Sequence, residues 1–584
     1  MLGPSILSIV VLLATPFLHR AFKPEQTPRR GAVASQNAQC TDVGTMMLER
    51  GGNAVDAAVA TQICIGTVAF SHSGIGGGGF LVLRTSDGKY ESVDYQVQAP
   101  AAANREMFGE DPLASLVGGL ASAVPGELRG LEYVHKKYAN LDWADLIAPS
   151  IRLAEGGFNV TKDLVRYMRC ARPNNAFLMD MEDSWATDFL VFDHALNKSR
   201  RLREGETMTR KRYAKTLRII AERGPSAFYD GEIAKSTIQT LRSTKYTKNR
   251  TGIMTLDDLG DYKIRHRKPV STYYRGYKIT SSGAPSSGAV TLSVLNTLNG
   301  FAGFGDISQT NVSNHRMIEA FRWAFGQRSY LGDPDFVDNV EGMTEQMLSA
   351  DVAASIRSKI SDERTFPVEY YNPEMLEGIE TPGTAHIATA DGSGMAVSST
   401  TTIGHWFGSH VMVEEAGYLL NSQMSIFSRP GVLHHGFNPN PNNFIQPNKR
   451  PLSAISPVII ETPNGELYAV TGSAGQNRII TAVVQNIIHM LDGGMTAAEA
   501  LVQPRMHDEL NGIKDRIQFE WYNPKMQFKT GTHNSTVEYL QSLGHAASWV
   551  KPGLSTGQSI RLLPNGTFEA AGEPRQVASK GSAV

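Results

Sequence analysis

Residues 381–394, TPGTAHIATADGSG, set a threonine directly after Pro-Gly at the head of a stretch that alternates like a β-strand. A threonine hydroxyl is a weak nucleophile in neutral water. One way to activate it is to make it the first residue of a chain, so that its own α-amine becomes the adjacent general base. Thr384 stands mid-chain, so this chemistry requires a cut between Gly383 and Thr384. Glycine suits such a bond, because it removes side-chain bulk and admits dihedrals closed to other residues. The plainer reading is a β-branched residue that opens a strand. Other chemistry is carried less well. Gly74 to Gly79 (GIGGGG) satisfies GxGxxG, but a dinucleotide site needs a strand before it and a helix after, and the order here is reversed. Gly553-Leu554-Ser555-Thr556-Gly557 satisfies GxSxG, yet Gln558–Leu563 reads as a strand where a nucleophile elbow needs a helix, so it reads as a turn. His434-His435 and the isolated His386, His405, His410 and His507 lack metal-ligand spacing and read as core or surface residues. No metal and no cofactor is expected.

The elements that must hold Thr384 follow from periodicity. Val397 to Thr402 resumes the alternation after Asp391-Gly392-Ser393-Gly394, which makes a hairpin opened by Thr384. Ser456–Glu461 and Glu466–Thr471 flank Pro463-Asn464-Gly465 as a second hairpin. Ile479, Ile480, Val483, Val484, Ile487, Ile488 and Leu491 form one apolar helix face that ends at Gly493-Gly494. Upstream, 36–49 and 54–70 read as helices, and 80–84 with 89–94 as a strand pair around Ser86-Asp87-Gly88. Residues 112–260 read as mainly helical, with stops at Gly156-Gly157 and Gly224-Pro225. Residues 332–382, rich in Asp, Glu and Pro, read as a surface excursion that leads to Thr384. The pattern is sheets covered by helices, without internal repeats.

Lys+Arg 56 against Asp+Glu 57 gives a net charge of −1, which excludes a polyelectrolyte surface for nucleic acid. Leu2 to Leu18 is uncharged and apolar, and Arg20, Lys23, Arg29 and Arg30 follow it. Residues 1–22 therefore read as a signal peptide or a signal-anchor, and both routes lead into the secretory pathway, to a secreted or a membrane-anchored protein. Six N-x-S/T sequons, at Asn159, Asn197, Asn249, Asn311, Asn534 and Asn565, fit a glycoprotein. With Cys40, Cys64 and Cys170 alone, one disulfide is the most to expect, and one thiol is left over.

The surroundings of Thr384 are more specific than the threonine itself. GTAH at 383–386, SSTTTIGHWFGS at 398–409, RPLSAISP at 450–457, TGSAGQ at 471–476 and PRMH at 504–507 resemble the γ-glutamyltransferase (glutathione hydrolase) family. So do GGNAVDAAVA at 51–60, SGIGGGGF at 73–80, AVPGELRG at 123–130 and the run from Trp143 to Phe158. These blocks keep the family order from about residue 30 to the C-terminus. The resemblance implies an N-terminal-nucleophile hydrolase with an αββα four-layer sandwich. It further implies self-cleavage before Thr384 into a large subunit, 30–383, and a small catalytic subunit, 384–584, in one intertwined domain. Thr384 takes the place of the nucleophile and Thr402 that of the threonine that orients it. Gly475 and Gln476 take the place of the tandem glycines whose N–H groups form an oxyanion hole. Cys40 and Cys64 occupy the places of a disulfide, which leaves Cys170 free. The reaction implied transfers a γ-glutamyl group from glutathione or a conjugate, through an acyl-threonine, to water or an amino acid. Three alternatives stand beside it: an amidase or acylase with another acyl group, a processing-defective binding protein, and a GxSxG serine hydrolase.

The head-group positions depart from the family pattern. Gln96 stands where the resemblance puts an arginine for the α-carboxylate, and Ala454 follows Ser453 where two serines are usual. Gly404, Gln423 and Ile426 stand at an asparagine and two acids that would hold the α-amine. Unless a nearby group such as Arg478 compensates, the expectation is that a modified, partly apolar or uncharged acyl group, or an unusual conjugate, is preferred over free glutathione.

Overall fold

The computed structural model describes residues 30–584 except 110, 171–185, 196, 248, 380–382, 511, 513–514 and 522–530. The apolar leader, residues 1–22, lies outside the described residues, and so does the side chain of Cys170.

Two antiparallel sheets form the centre. Their strands are β1 (Gly31–Ser35), β2 (Gly78–Arg84), β3 (Tyr90–Asp94), β4 (Arg265–Arg267), β5 (Val270–Tyr274), β6 (Tyr277–Ser281), β7 (Thr384–Asp391), β8 (Ala396–Thr402), β9 (Val458–Glu461), β10 (Leu467–Ala474), β11 (Thr556–Leu562), β12 (Phe568–Ala571) and β13 (Lys580–Ala583). A seven-stranded sheet runs β13-β1-β7-β8-β2-β3-β4, and a six-stranded sheet runs β12-β11-β10-β9-β6-β5. Small residues let the sheets meet. Ala32, Ala34, Ala388, Ala390 and Ala396 face Ile459, Leu467, Val470 and Ile560 in a core between them. A Cβ on Gly472 of β10 would come within 2.3 Å of the His386 ring, so the glycine makes room for that histidine between the layers.

Helices cover both outer faces. α1 (Ala38–Glu49), α2 (Ala54–Val68), α3 (Trp143–Gly156) and α4 (Lys211–Arg223) pack with Leu81, Leu83, Ile387 and Val397 of the seven-stranded sheet. α5 (Gly288–Asn299), α6 (Thr310–Arg328) and α7 (Arg478–Leu491) pack with Ile279, Ile460 and Ala469 of the six-stranded sheet. The α7 face built by Ile480, Val483, Val484 and Ile487 is buried, as its spacing predicts, and truncating one such residue to alanine costs about 2–5 kcal/mol. The order helix, sheet, sheet, helix is the expected four-layer sandwich.

Both expected hairpins form. β7 and β8 pair with Thr384 opposite Thr402, and the Asp391 carboxylate turns the chain by accepting the Ser393 N–H at 2.8 Å. Its other oxygen accepts the Ala54 N–H at 2.9 Å, which ties the hairpin to the start of α2. Cys40 of α1 and Cys64 of α2 are joined in a disulfide with 24 positions between them, worth about 3 kcal/mol on a chain-entropy estimate.

Two readings need correction. Residues 332–382 are not a surface excursion: short helices at Val340–Met347, Ala350–Lys359 and Val368–Tyr371 send Val340, Met347, Val368 and Tyr371 into the core that holds α5 and α6. Their caps and brevity, with Ser349 accepting from Val352 N, leave few apolar positions per helix, so the polar composition dominates the pattern. The helical stretch 112–260 is interrupted by a hairpin that pairs Leu190–Asp193 with Lys198–Arg201.

Candidate active site

The site is assembled by the ends of β7, β8 and β10. Thr384 and Thr402 are both buried, at 6% and 4% exposed. The Thr402 hydroxyl donates to the carbonyl oxygen of Gly383 at 2.5 Å and accepts the Gly404 N–H at 2.8 Å. The accepted bond occupies a lone pair and leaves the hydroxyl proton for Gly383. In this continuous chain the second threonine therefore grips the carbonyl just before Thr384. Gly383 has φ +114, and a Cβ there would lie 2.3 Å from the Gly404 carbonyl oxygen. Both the dihedral and the close approach require glycine. The glycine run before β2 serves the same end: a Cβ on Gly77 would meet the Thr402 carbonyl oxygen at 2.2 Å. That run follows α2 and precedes a strand, so it is a packing surface and not a nucleotide loop.

Behind Thr402, the Thr401 hydroxyl donates to Glu127 and lies 3.1 Å from the Ser73 hydroxyl. Burial pushes the Glu127 carboxyl up to about 7, against the opposing pull of its bonds to Thr401 and Gln62. Sequence reasoning did not single out Glu127, because its neighbours come from three distant segments.

Gly475 and Gln476 lie between β10 and α7, just ahead of the N-cap Asn477. Gly475 has φ +127 and Gln476 has φ +63. Asn477 is right-handed and begins α7, so this turn stands at the positive end of the helix, where the first N–H groups have no partner within it. A Cβ on Gly475 would meet the Leu554 carbonyl oxygen at 2.4 Å, whereas the side chain of Gln476 finds space and accepts from Arg478 at 2.6 Å. A non-glycine residue is thus accommodated at the second position.

Two cavities meet at Thr384. The first is lined by Thr384, Thr402, Gln476 and Asn477, with Ile379, Ile426, Leu452, Ser453, Ala454, Ile455 and Ile479. Among the described residues no charged side chain lines it. The second is lined by Gly383, Thr384, Gly475 and Gln476, with His72, Tyr167, Trp406, Arg478 and Leu554. Of the six head-group positions, Ile426, Ser453 and Ala454 line the first cavity. Gly404, Gln423 and Gln96 are not among its lining residues. Gln423 is spent on the backbone, donating from Nε2 to the Thr402 carbonyl at 2.9 Å. Gln96 is fully buried, with Oε1 accepting the Val97 N–H at 3.0 Å. Arg450 binds the Asp94 carboxylate at 2.6 Å and its carbonyl at 2.7 Å, which fastens the Ser453 segment to the segment of Gln96. Arg478 lies on the wall of the second cavity, so it does not replace a cation in the first.

The other motifs find structural places. Ser555 accepts from Arg505 at 2.8 Å through its carbonyl, in a turn that enters β11. His386 is a core residue with Nδ1 2.8 Å from the Thr400 hydroxyl, and burial pushes it down to about 3. His410 and His507 are buried, while His405, His434 and His435 are partly exposed. One histidine cluster escaped the spacing argument: His315 and Glu319 on α6 meet His545, their ligand atoms within 4.8 Å of one another. A hydrogen-bonded chain accounts for it. His315 Nε2 is 2.7 Å from the Ser361 carbonyl and Nδ1 2.8 Å from His545 Nε2, while Glu319 accepts from Thr365 and Tyr371. Of the sequons, Asn159, Asn197, Asn249, Asn534 and Asn565 are exposed and Asn311 is half-buried.

The chain is similar to known proteins over nearly its whole length. Residues 40–583 fit the model of the family described as Gamma-glutamyltranspeptidase. A "Glutathione hydrolase" of Aspergillus flavus is 44% identical over 567 residues, covering 97% of this chain and 91% of that protein. A "Glutathione hydrolase proenzyme" of Arthroderma benhamiae is 43% identical, covering 95% and 93%. The crystal structure of cephalosporin acylase from Bacillus halodurans superposes with a TM-score of 0.79 at 27% identity, covering 95% of this chain and 96% of that one. The chain therefore belongs to the gamma-glutamyltranspeptidase family, enzymes of the N-terminal-nucleophile hydrolase class.

Proposed function

We propose that the protein cuts its own chain between Gly383 and Thr384, and that the freed Thr384 then carries a γ-glutamyl group from glutathione or a conjugate to water or an amino acid. One observation carries this reading: the Thr402 hydroxyl already sits 2.5 Å from the Gly383 carbonyl oxygen. Attack by Thr384 Oγ on that carbonyl carbon moves negative charge onto the oxygen that Thr402 holds, and a donor placed there lowers the barrier. The peptide nitrogen leaves as the α-amine of Thr384, and water hydrolyses the resulting ester to free the hydroxyl. The new amine then takes the proton of the Thr384 hydroxyl in each later acyl transfer. The N–H groups of Gly475 and Gln476 face the oxyanion of those steps, with subunits 30–383 and 384–584 held in one body.

Export is part of the reading. The apolar leader at 1–22, the Cys40–Cys64 bond and the exposed sequons support it. The first cavity takes the acyl group and the second the amine. A second reading of the acyl group is favoured by the first cavity itself: Ile426, Leu452 and Ala454 line it with no charge, which suits an acyl chain lacking the zwitterionic head. The similarity to an acylase structure supports the same direction.

Thr384→Ala tests the main reading. It should run as one band on a denaturing gel and release no amine from any acyl substrate, while the wild type runs as two. A variant that still splits at 383/384 sinks the mechanism. Thr384→Ser should cut more slowly, because it keeps the hydroxyl and loses the methyl that restricts χ1.

A further inference from the structure

Arg478 is the first residue of α7 and lies in the wall of the second cavity, the amine side of Thr384. Among the described residues that line this cavity it carries the one full charge, because burial pushes the His72 imidazole down to about 3 and keeps it neutral. The side chain is half-buried and firmly held. Its Nη1 donates to Gln476 Oε1 at 2.6 Å, while Nε and Nη2 donate to Gln518 Oε1 at 3.1 and 2.7 Å. Gln476 lines the same cavity and Gln518 comes from the strand Ile517–Glu520, so amides of two separate elements fix the plane of the guanidinium. The position itself is unfavourable for a cation. The first turn of a helix is its positive end and favours anions, yet α7 begins with arginine and has no Asp or Glu in that turn. An anion that enters the cavity meets the guanidinium and the helix end together, and both attract it.

We propose that Arg478 is a substrate-contacting residue that binds a carboxylate on the amine part of the substrate, so that the second cavity selects an amino acid or peptide amine over an amine without a carboxylate. The two groups match in shape, since parallel N–H donors of a guanidinium face the two oxygens of a carboxylate. Tyr167 and Trp406, with ring centroids 5.7 Å apart on the same wall, give the body of the amine an apolar surface. No proton moves at Arg478, and the acyl group changes hands only at Thr384. The side chain of Gln476 gains a use here, because it braces the arginine from a position where the resemblance puts glycine. The inference rests on the reading of Thr384 as the acyl carrier and of the second cavity as the amine side.

The test uses the purified protein with γ-glutamylglycylglycine and its C-terminal amide, and with butyrylglycylglycine and its C-terminal amide. Within each pair the acyl group and the bond to be cut are the same, and only the carboxylate differs. In the wild type kcat/KM for release of the dipeptide should favour the acid, and the ratio of acid to amide should fall about 10-fold in Arg478→Met, which keeps an unbranched side chain and removes the charge. Arg478→Lys, which keeps the charge, should stay within about 3-fold of the wild-type ratio. A wild type that cleaves acid and amide equally overturns the proposal. So does an unchanged ratio in Arg478→Met, or equal loss on both members of a pair, the mark of a structural role. Should Arg478→Met remain uncut, the same ratio is read in Arg478→Gln, and constancy there overturns it equally. If the wild type turns over neither pair, the acyl-transfer reading fails and this one with it; if the wild type is active and only the ratio is constant, this one fails alone.

Discussion

The parts of the site that act on a peptide bond and the parts that would read a substrate are built differently. On the proposed reading, the working atoms around the 383/384 bond belong to backbone or to hydroxyls fixed by backbone: the Gly383 carbonyl, Thr402 held by Gly404 N–H, and the Gly475 and Gln476 amides. Around the first cavity the working atoms would be side chains, and there Ile426 stands where the resemblance puts an acid and Ala454 where it puts a serine. A backbone device tolerates replacement of one side chain, as Gln476 illustrates, but a side-chain device changes its ligand with a single residue. On that reading the bond-cutting half would be retained while the recognition half is free to be retuned.

The largest test of that contrast is Thr402→Val, which keeps the strand and removes the donor. Self-cleavage should slow by about 10²–10³-fold, followed as the appearance of two bands with time, and an unchanged rate would remove Thr402 from the chemistry. Gly383→Ala comes next. Its Cβ would collide with the Gly404 carbonyl, displace the scissile carbonyl from Thr402 and slow cutting about 100-fold. On the recognition side, Ile426→Asp, which sets a carboxylate on the wall of the first cavity, should raise kcat/KM for γ-glutamyl anilide relative to its analogue without the α-amine by about 10-fold. A wild type that already strongly prefers the intact γ-glutamyl anilide, with no gain in Ile426→Asp, would falsify the altered pocket. The smallest effect concerns the support behind the site. Burial pushes the folded Glu127 carboxyl up to about 7, so its contribution to stability falls as pH rises from about 4.5 to about 7 and is lost above that. Glu127→Gln removes this dependence, so urea unfolding should find the variant gaining on wild type by about 3 kcal/mol between pH 5 and pH 8. Parallel stability curves would contradict it.

The sequence reveals the hairpin of Thr384, the helix after Gly475 and the turn at Ser555, because each is written within about fifteen residues as a period or a turn dipeptide. It obscures what long-range pairing creates. Glu127, Thr401 and Ser73 form one hydrogen-bonded cluster from separate segments, and His315 meets His545 across 230 positions. The resemblance names Gln96 and Gln423 as head-group positions, but only coordinates reveal that neither is on the lining of the first cavity, because Val97 and Thr402 engage them.

β1, from the beginning of the chain, lies in its sheet between β7 and β13, both from beyond residue 383. In the other sheet β6 and β9 pair across the same boundary. A cut at 383/384 would therefore resemble a snip in a woven cloth rather than the parting of two pieces. The two polypeptides would be separate molecules to a denaturing gel and a single object to a size-exclusion column, and neither could be expressed alone and expected to hold its shape, because in the seven-stranded sheet the large one lacks the β7-β8 pair between β1 and β2 and the small one lacks the β1 between β13 and β7.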